Sequence, residues 1–294
     1  MASTHTPHVP VSRHGRTASS LLRTARTYAG VALIVVWGLA PFYWMVVTSF
    51  REVAYTYDTT PWPTHVTLDN YRTAFSTELG NFFARSLVNS LVISAVTTLI
   101  GLVVGVFAAY ALARLRFRGK YVVLGFVLGA SMFPGVALVT PLFQLFRNIG
   151  WFGTYQALII PNISFVLPLT IYTLTAFFRE MPWELEEAAK IDGASAGQAF
   201  RRVILPLAAP GLFTTAILAF IASWNEFLIA SQLSTAKVAP VTVAIANFTG
   251  SQPRQEPYTA LMAAGTVVTV PLIIMVLLFQ RRIVAGLTAG GVKG

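Results

Sequence analysis

Cysteine is absent from all 294 residues, which excludes disulfides and thiolate metal sites in this chain. Charge is scarce too: Asp, Glu, Lys and Arg make up 11%, against about 25% in ordinary globular domains. Only 11 residues are acidic, and just one of them, Glu226, falls inside a long apolar run. No phosphate-cradling loop is present, because Gly119-Lys120 is followed by Tyr121 and lacks the upstream glycine. Whatever energy source drives this protein must therefore lie outside the chain. No nucleophile–base pair stands out, so no catalytic residue is assigned. No metal site is assigned either: His5, His8 and His14 lie in a Ser-, Thr- and Pro-rich start without a further ligand, and His65 reads as a surface residue.

What the chain has instead is apolar surface. Hydrophobic residues reach 55% and mean hydropathy is +0.66. The apolar residues come in six long blocks, at 28–50, 87–113, 121–146, 155–178, 210–233 and 259–280. A bilayer-spanning helix needs about 20 such residues. Barrel strands would alternate in and out over about 10 residues, and these blocks do not alternate. Pro41, Pro134, Pro141, Pro161, Pro168 and Pro271 lie within them, which a membrane helix tolerates when neighbours satisfy the freed carbonyls. The expected fold is all-α, a polytopic membrane protein with six transmembrane helices.

The basic residues set the expected orientation. With the N-terminus inside, 15 of the 21 Lys and Arg residues fall on cytoplasmic segments. The six outside are Arg51, Arg72, Arg85, Arg147, Lys237 and Arg254. The excess of positive charge favours both termini in the cytoplasm. It also accounts for the net charge of +10, which is spread over membrane-flanking loops rather than gathered into a nucleic-acid patch. The first block is long, carries Trp37 and Trp44 and lacks a small-residue cleavage site, so it reads as a retained span rather than a signal peptide. The expected organisation is a disordered basic tail at 1–27, a six-span transmembrane domain at 28–281 and a cytoplasmic tail at 282–294.

Between the fourth and fifth blocks, residues 179–209 form a polar island. Pro182 suits the first turn of a helix, and Glu184, Glu186 and Glu187 set negative charge against the positive end of its dipole. Trp183, Ala188 and Ile191 supply a small apolar side. Gly193 is the stop, where a left-handed cap costs little. Ser195 with Gln198 three residues on is a capping box that opens a second helix, with Phe200, Val203 and Ile204 as its apolar face and Pro206 and Pro210 ending it. A helix–Gly–helix hairpin on the cytoplasmic surface follows. An amphipathic loop lying on the bilayer is the alternative, but anionic lipid attracts basic helices and this one is acidic.

The run Glu186-Glu187-Ala188-Ala189-Lys190-Ile191-Asp192-Gly193-Ala194-Ser195, followed by Leu205-Pro206-Leu207, resembles the coupling loop of ATP-binding-cassette importer permeases, the EAA motif. The likeness continues in Thr67-Leu68-Asp69-Asn70-Tyr71, Asn89-Ser90, Ala108–Arg114 with Phe117–Lys120, Met132-Phe133-Pro134, Trp224-Asn225-Glu226-Phe227 and the tail Gly286–Gly294. Together these are similar to the maltose-type, carbohydrate-uptake branch of the family. The resemblance implies a non-catalytic subunit of the prokaryotic cytoplasmic (inner) membrane that forms half of a heterodimeric pore with a second permease. It implies two copies of a cytoplasmic ATPase, which would hold the ATP and Mg, and an extracytoplasmic sugar-binding protein meeting loops 51–85 and 234–258. Glu186, Glu187, Ala188, Ala189, Asp192, Gly193 and Ala194 would dock the ATPase.

Substrate-pathway candidates are Trp224, Asn225 and Glu226, with Asn89, Gln144 and Asn162 as further pore-lining positions. Glu226 reads either as a sugar-hydroxyl partner beside an aromatic ring or as structural: an interhelical hydrogen-bond clamp with the partner subunit, or a position close enough to the interface to stay wet. A carboxylate in a span costs about 2.5–3.5 kcal/mol on insertion scales, so it faces protein or water. Gly101 and Gly105 read as a small-xxx-small packing step. The branch suggests a disaccharide such as maltose or trehalose, with a monosaccharide, glycerol phosphate or an oligosaccharide next. An ion-coupled secondary transporter or a membrane-embedded enzyme is the rival class; each needs polar clusters within the spans that this chain lacks.

Overall fold

The computed structural model describes residues 18–78, 80–248 and 257–289. Helix α1 (Ala18–Ser49) begins ten residues before the expected span, since 18–27 contain no Gly or Pro to stop it. That part of the expected disordered tail is therefore helical, while 1–17 lie outside the described residues. A loop with a 3-10 turn at Val53–Tyr55 leads to the short α2 (Asp69–Phe75) and then α3 (Phe83–Arg114). After α4 (Lys120–Ser131), α5 (Gly135–Asn148) and α6 (Tyr155–Glu180) come α7 (Glu184–Ile191) and α8 (Ala196–Ala199), a π-helical turn at Phe200–Ile204, and α9 (Leu205–Leu207). Helices α10 (Ala209–Trp224), α11 (Leu228–Leu233), α12 (Val241–Ala246) and α13 (Tyr258–Ala289) complete the chain. The last runs through the first eight residues of the expected tail at 282–294, and 290–294 lie outside the described residues.

Two expected spans are not continuous. The block at 121–146 is split into α4 and α5, which meet at 86°. Proline explains the break: Pro134 has no N–H to give, and a residue before proline avoids the helical region. The block at 210–233 is split after Trp224 into α10 and α11. At 1.5 Å per residue the 16-residue α10 is about 24 Å long, short of a hydrocarbon core of about 30 Å. On its other side α10 bends by 70° from the Ala196–Leu207 segment. Among the described residues four helices are long and apolar enough to cross a membrane alone, and the two bent pairs bring that to six if each crosses once.

Helices α3 and α6 form the central pair. A Cβ on Gly105 would stand 2.5 Å from Thr170 Cγ2, and one on Gly101 would stand 3.1 Å from Val166 Cγ2. The two glycines thus let α6 lie against α3, as the small-xxx-small spacing predicts. One apolar cluster packs near the start of α3 (Ile93, Phe146, Leu158, Ile229, Leu233) and another near its end (Val106, Ala109, Leu174, Phe178, Phe200, Ile204). Leu33, Ile34 and Trp37 on α1 and Leu277 and Leu278 on α13 point outward, as lipid-facing side chains do.

The loop after α1 is closed by a buried arginine. Arg51 donates to the carbonyls of Asp58 and Thr60 and lies 4.8 Å from the ring centre of Trp44. Asn70, also buried, donates to the carbonyls of Ser49 (2.9 Å) and Arg51 (2.6 Å) and so ties α2 to the end of α1. Asp58 takes the Thr60 N–H and the hydroxyls of Thr60 and Thr64. This region lies near the start of α3, opposite the hairpin of α7 to α9.

Candidate functional site: the 179–209 hairpin and the polar residues of the spans

The hairpin forms by local rules. Trp183 is the N-cap of α7 and its carbonyl accepts from Glu186 N (3.1 Å) and Glu187 N (3.2 Å). Pro182 therefore sits just ahead of the helix rather than in its first turn, while Glu184, Glu186 and Glu187 occupy that turn. At the other end Ala194 N bonds Ala189 O (2.9 Å), Gly193 N bonds Lys190 O (3.1 Å), and Gly193 has φ +86°. This is a Schellman cap with its left-handed residue at Gly193. Ser195 N donates to Gln198 Oε1 (2.8 Å) and Gln198 N to Ser195 Oγ (3.3 Å), the expected capping box.

The hairpin has two sides. Glu187, Ala188, Asp192 and Gly193 are exposed and Ile191 is 86% exposed, so the tip presents acid and apolar surface together. Ala189 and Ala194 are half-buried. Glu186 is turned the other way, at 5% exposure, which corrects its place among the docking residues. Its Oε1 accepts from Tyr110 Oη at 3.1 Å and Lys190 Nζ at 2.8 Å. Both are hydrogen bonds to a charged group, a class worth about 1.5–3 kcal/mol, with the Lys190 bond discounted for the half-exposed ammonium. Beside it, buried Arg114 donates to Met181 O (2.9 Å) and lies 4.6 Å from the Trp183 ring centre. Phe200 and Ile204 are buried against α3 and α6, while Val203 is half-buried. Tyr110 and Arg114 stand one turn apart in the run Ala108–Arg114; that spacing is visible in the sequence, but their partners, 76 and 67 residues away respectively, are not.

The six pathway candidates do not converge as a sugar pocket. Trp224 is 1% exposed, packed with Phe83, Val241 and Ala264 and stacked on Phe220, so its face is closed to a sugar ring. Glu226 accepts from Ile229 N (2.7 Å) and Ala230 N (3.0 Å), capping α11 within its own chain. This cap within the chain is a use the sequence did not suggest, and it accounts for the broken span: the carboxylate claims amides that a continuous helix would pair to carbonyls. Asn225 is exposed, with Nδ2 on Ile221 O (2.8 Å), and Gln144 is exposed. Asn162 is buried and donates to Leu158 O (3.1 Å). Asn89 is a buried staple: Nδ2 donates to Lys237 O (3.2 Å) and Ala239 O (2.9 Å), and Oδ1 accepts from Tyr155 Oη (2.6 Å). Ser90 Oγ accepts from Val241 N (2.8 Å), so the start of α3 holds residues 237–241. A cleft of about 230 Å³ opens nearby, with Asn81, Ser86, Ser231, Ser234, Thr235 and Asn247 in its wall and none of the sequence candidates.

With this geometry in hand, comparison with known proteins is informative. Residues 101–288 match the family described as binding-protein-dependent transport system inner membrane component. The chain is 52% identical over 263 residues to the trehalose transport system permease protein SugB of Mycobacterium tuberculosis, covering 89% of this chain and 95% of that one. It is 43% identical over 269 residues to the trehalose/maltose transport system permease protein MalG of Thermococcus litoralis, covering 90% and 95%. Among solved structures, a bacterial ABC transporter involved in alginate import superposes with TM-score 0.73 at 22% identity, covering 94% of this chain and 99% of that chain, a likeness of fold. A bundle of long apolar helices, a Gly193-capped acidic hairpin between them and these matches have one explanation: the chain belongs to the family of inner-membrane permease components of binding-protein-dependent ABC transport systems.

Proposed function

We propose that this chain is one half of the pore of an ATP-driven importer for a small carbohydrate, with a disaccharide of the trehalose or maltose type as its substrate. The substrate class rests on the 52% and 43% identity to permeases named for trehalose and for trehalose and maltose. A second permease would complete the pore. Two cytoplasmic ATPase subunits, holding ATP and Mg, would each receive one hairpin. A sugar-binding protein would release its load at the other end, where the loop 51–68 and residues 234–248 lie. Both termini would be cytoplasmic, on the side of the hairpin, in keeping with the 15 basic residues assigned to that side.

The observation that carries the docking reading is the exposed tip of the hairpin. Ile191 stands 86% exposed among Glu187, Ala188 and Asp192, on a turn fixed by Gly193. An exposed branched apolar side chain ringed by acid and small residues is a plug for a groove with a basic rim. Closure of the ATPases on ATP would move the hairpins together and open the pore outward, and hydrolysis would reset it. An ion-coupled carrier gains no support from Glu226, whose oxygens are held by backbone amides.

The test is uptake of labelled trehalose, maltose, glucose and glycerol phosphate by cells lacking the chain, rescued with wild type or Gly193→Asp. Loss of one sugar, restored by wild type alone, supports the reading and identifies the substrate. Uptake of every sugar unchanged by the deletion refutes the carbohydrate assignment.

A further inference from the structure

The last turn of α3 grips the hairpin at several points. The Tyr110 ring packs edge-on against Phe178 of α6, with centroids 5.9 Å apart, and at a tilt of 57° against Phe200 of the π-helical turn, at 4.6 Å. Its hydroxyl holds Glu186 of α7. One turn on, Arg114 holds Met181 O and covers Trp183. Glu186 Oε2 and Arg114 Nε and Nη1 are buried without partners, so the cluster retains hydrogen-bonding capacity as well as opposite charge. The other end of α3 carries Asn89 and Ser90, which hold residues 237–241. From Asn89 to Tyr110 is 21 residues of one unbroken helix, about 32 Å. A helix is stiff along its axis, so α3 is a rod fastened at both ends by buried polar contacts.

We propose that Glu186 and Tyr110 are positioning residues that transmit movement of the hairpin to α3, and through Asn89 to the 237–241 segment at the far end. This rests on the docking reading above, but assigns Glu186 a different task from its neighbours: Glu187, Ala188, Ile191 and Asp192 meet the partner, while Glu186 couples their displacement to the span. Tyr110 suits the task because ring and hydroxyl together touch α6, α7 and the π-helical turn. Spatial continuity alone does not establish coupling, so the readout must be at the far end.

The absence of cysteine provides that readout. Ala236→Cys places the chain's single thiol at an exposed position beside the residues held by Asn89. The complex purified through this chain is labelled with an impermeant maleimide, with and without Mg-ATP and vanadate, in the background of Tyr110→Phe, Glu186→Gln or both. The expected result is an ATP-dependent change in labelling rate that shrinks at least about fivefold in either variant while the ATPase still co-purifies. Tyr110→Phe keeps the ring and its packing, so a loss through misfolding is separated from loss of the hydroxyl. The double variant should be no worse than the singles, as for two ends of one contact. An ATP response of wild-type size in both variants overturns the inference and leaves docking intact; so does reduced complex yield with a full response in what assembles. Absence of ATPase from the unmutated complex overturns the docking reading and this inference with it.

Discussion

Replacing Gly193 with a graded set of side chains separates turn geometry from simple bulk. A Cβ built on Gly193 has no atom within 4 Å, so nothing there resists volume. The penalty comes from φ +86° alone. For an ordinary L-residue the left-handed region costs roughly 1–2 kcal/mol, while Asn and Asp visit it more readily through local hydrogen bonds. A penalty of that size shifts the population of the formed hairpin by a factor of about 5–30. Gly193→Asn should therefore be milder than Gly193→Ala although it is larger, and the β-branched Gly193→Val should be worst. Gly193→Asp falls outside this order, because it adds charge to an already acidic tip and bears on docking as well as on the turn. The assay is a titration of the partner ATPase onto the purified permease pair, with membrane insertion checked separately. Alanine should weaken association about fivefold, with asparagine closer to wild type. The order Ala milder than Asn, or Val equal to glycine, refutes the argument from φ.

Three further outcomes follow from the same physics. Glu226→Ala removes the carboxylate that caps Ile229 N and Ala230 N and should cost about 1–2 kcal/mol; lower thermal stability with unchanged sugar affinity is expected, and a changed KM at full stability contradicts it. Gly105→Leu puts a Cβ 2.5 Å from Thr170 Cγ2 and forces α3 off α6, so detergent-stable yield should collapse, while Gly125→Leu, where a Cβ meets nothing within 4 Å, should leave it unchanged. The Thr60 N–H, then the Thr60 hydroxyl, hold Asp58 below its ordinary value of 3.8, with Thr64 and Arg51 acting the same way. A lowered carboxylate pKa contributes stability above the unfolded value that is lost as pH falls through the folded one. Protease sensitivity of the 51–67 loop should therefore rise below about pH 4, and Asp58→Asn should abolish that acid dependence.

What the sequence determined by itself is what depends on neighbours within a turn or two. Long apolar runs specify helices in a bilayer, and four of them appear within a few residues of their expected limits, apart from helical extensions at 18–27 and 282–289. The hairpin was legible in detail, because the Schellman cap at Gly193 and the capping box at Ser195 and Gln198 close over three to five residues. Spacing also foretold that Gly101 and Gly105 would admit another helix. Tertiary structure decided whatever turns on direction. Glu186 and Glu187 are adjacent and chemically alike, and only the fold sends one to Tyr110 and leaves the other exposed. Trp224, Asn225 and Glu226 read as one polar–aromatic site; folding separates them into a buried ring, an exposed amide and a helix cap. Asn89 read as pore lining but closes a contact 150 residues away. A local pattern fixes which face of a helix a residue occupies, but what that face meets depends on contacts between segments far apart in the chain.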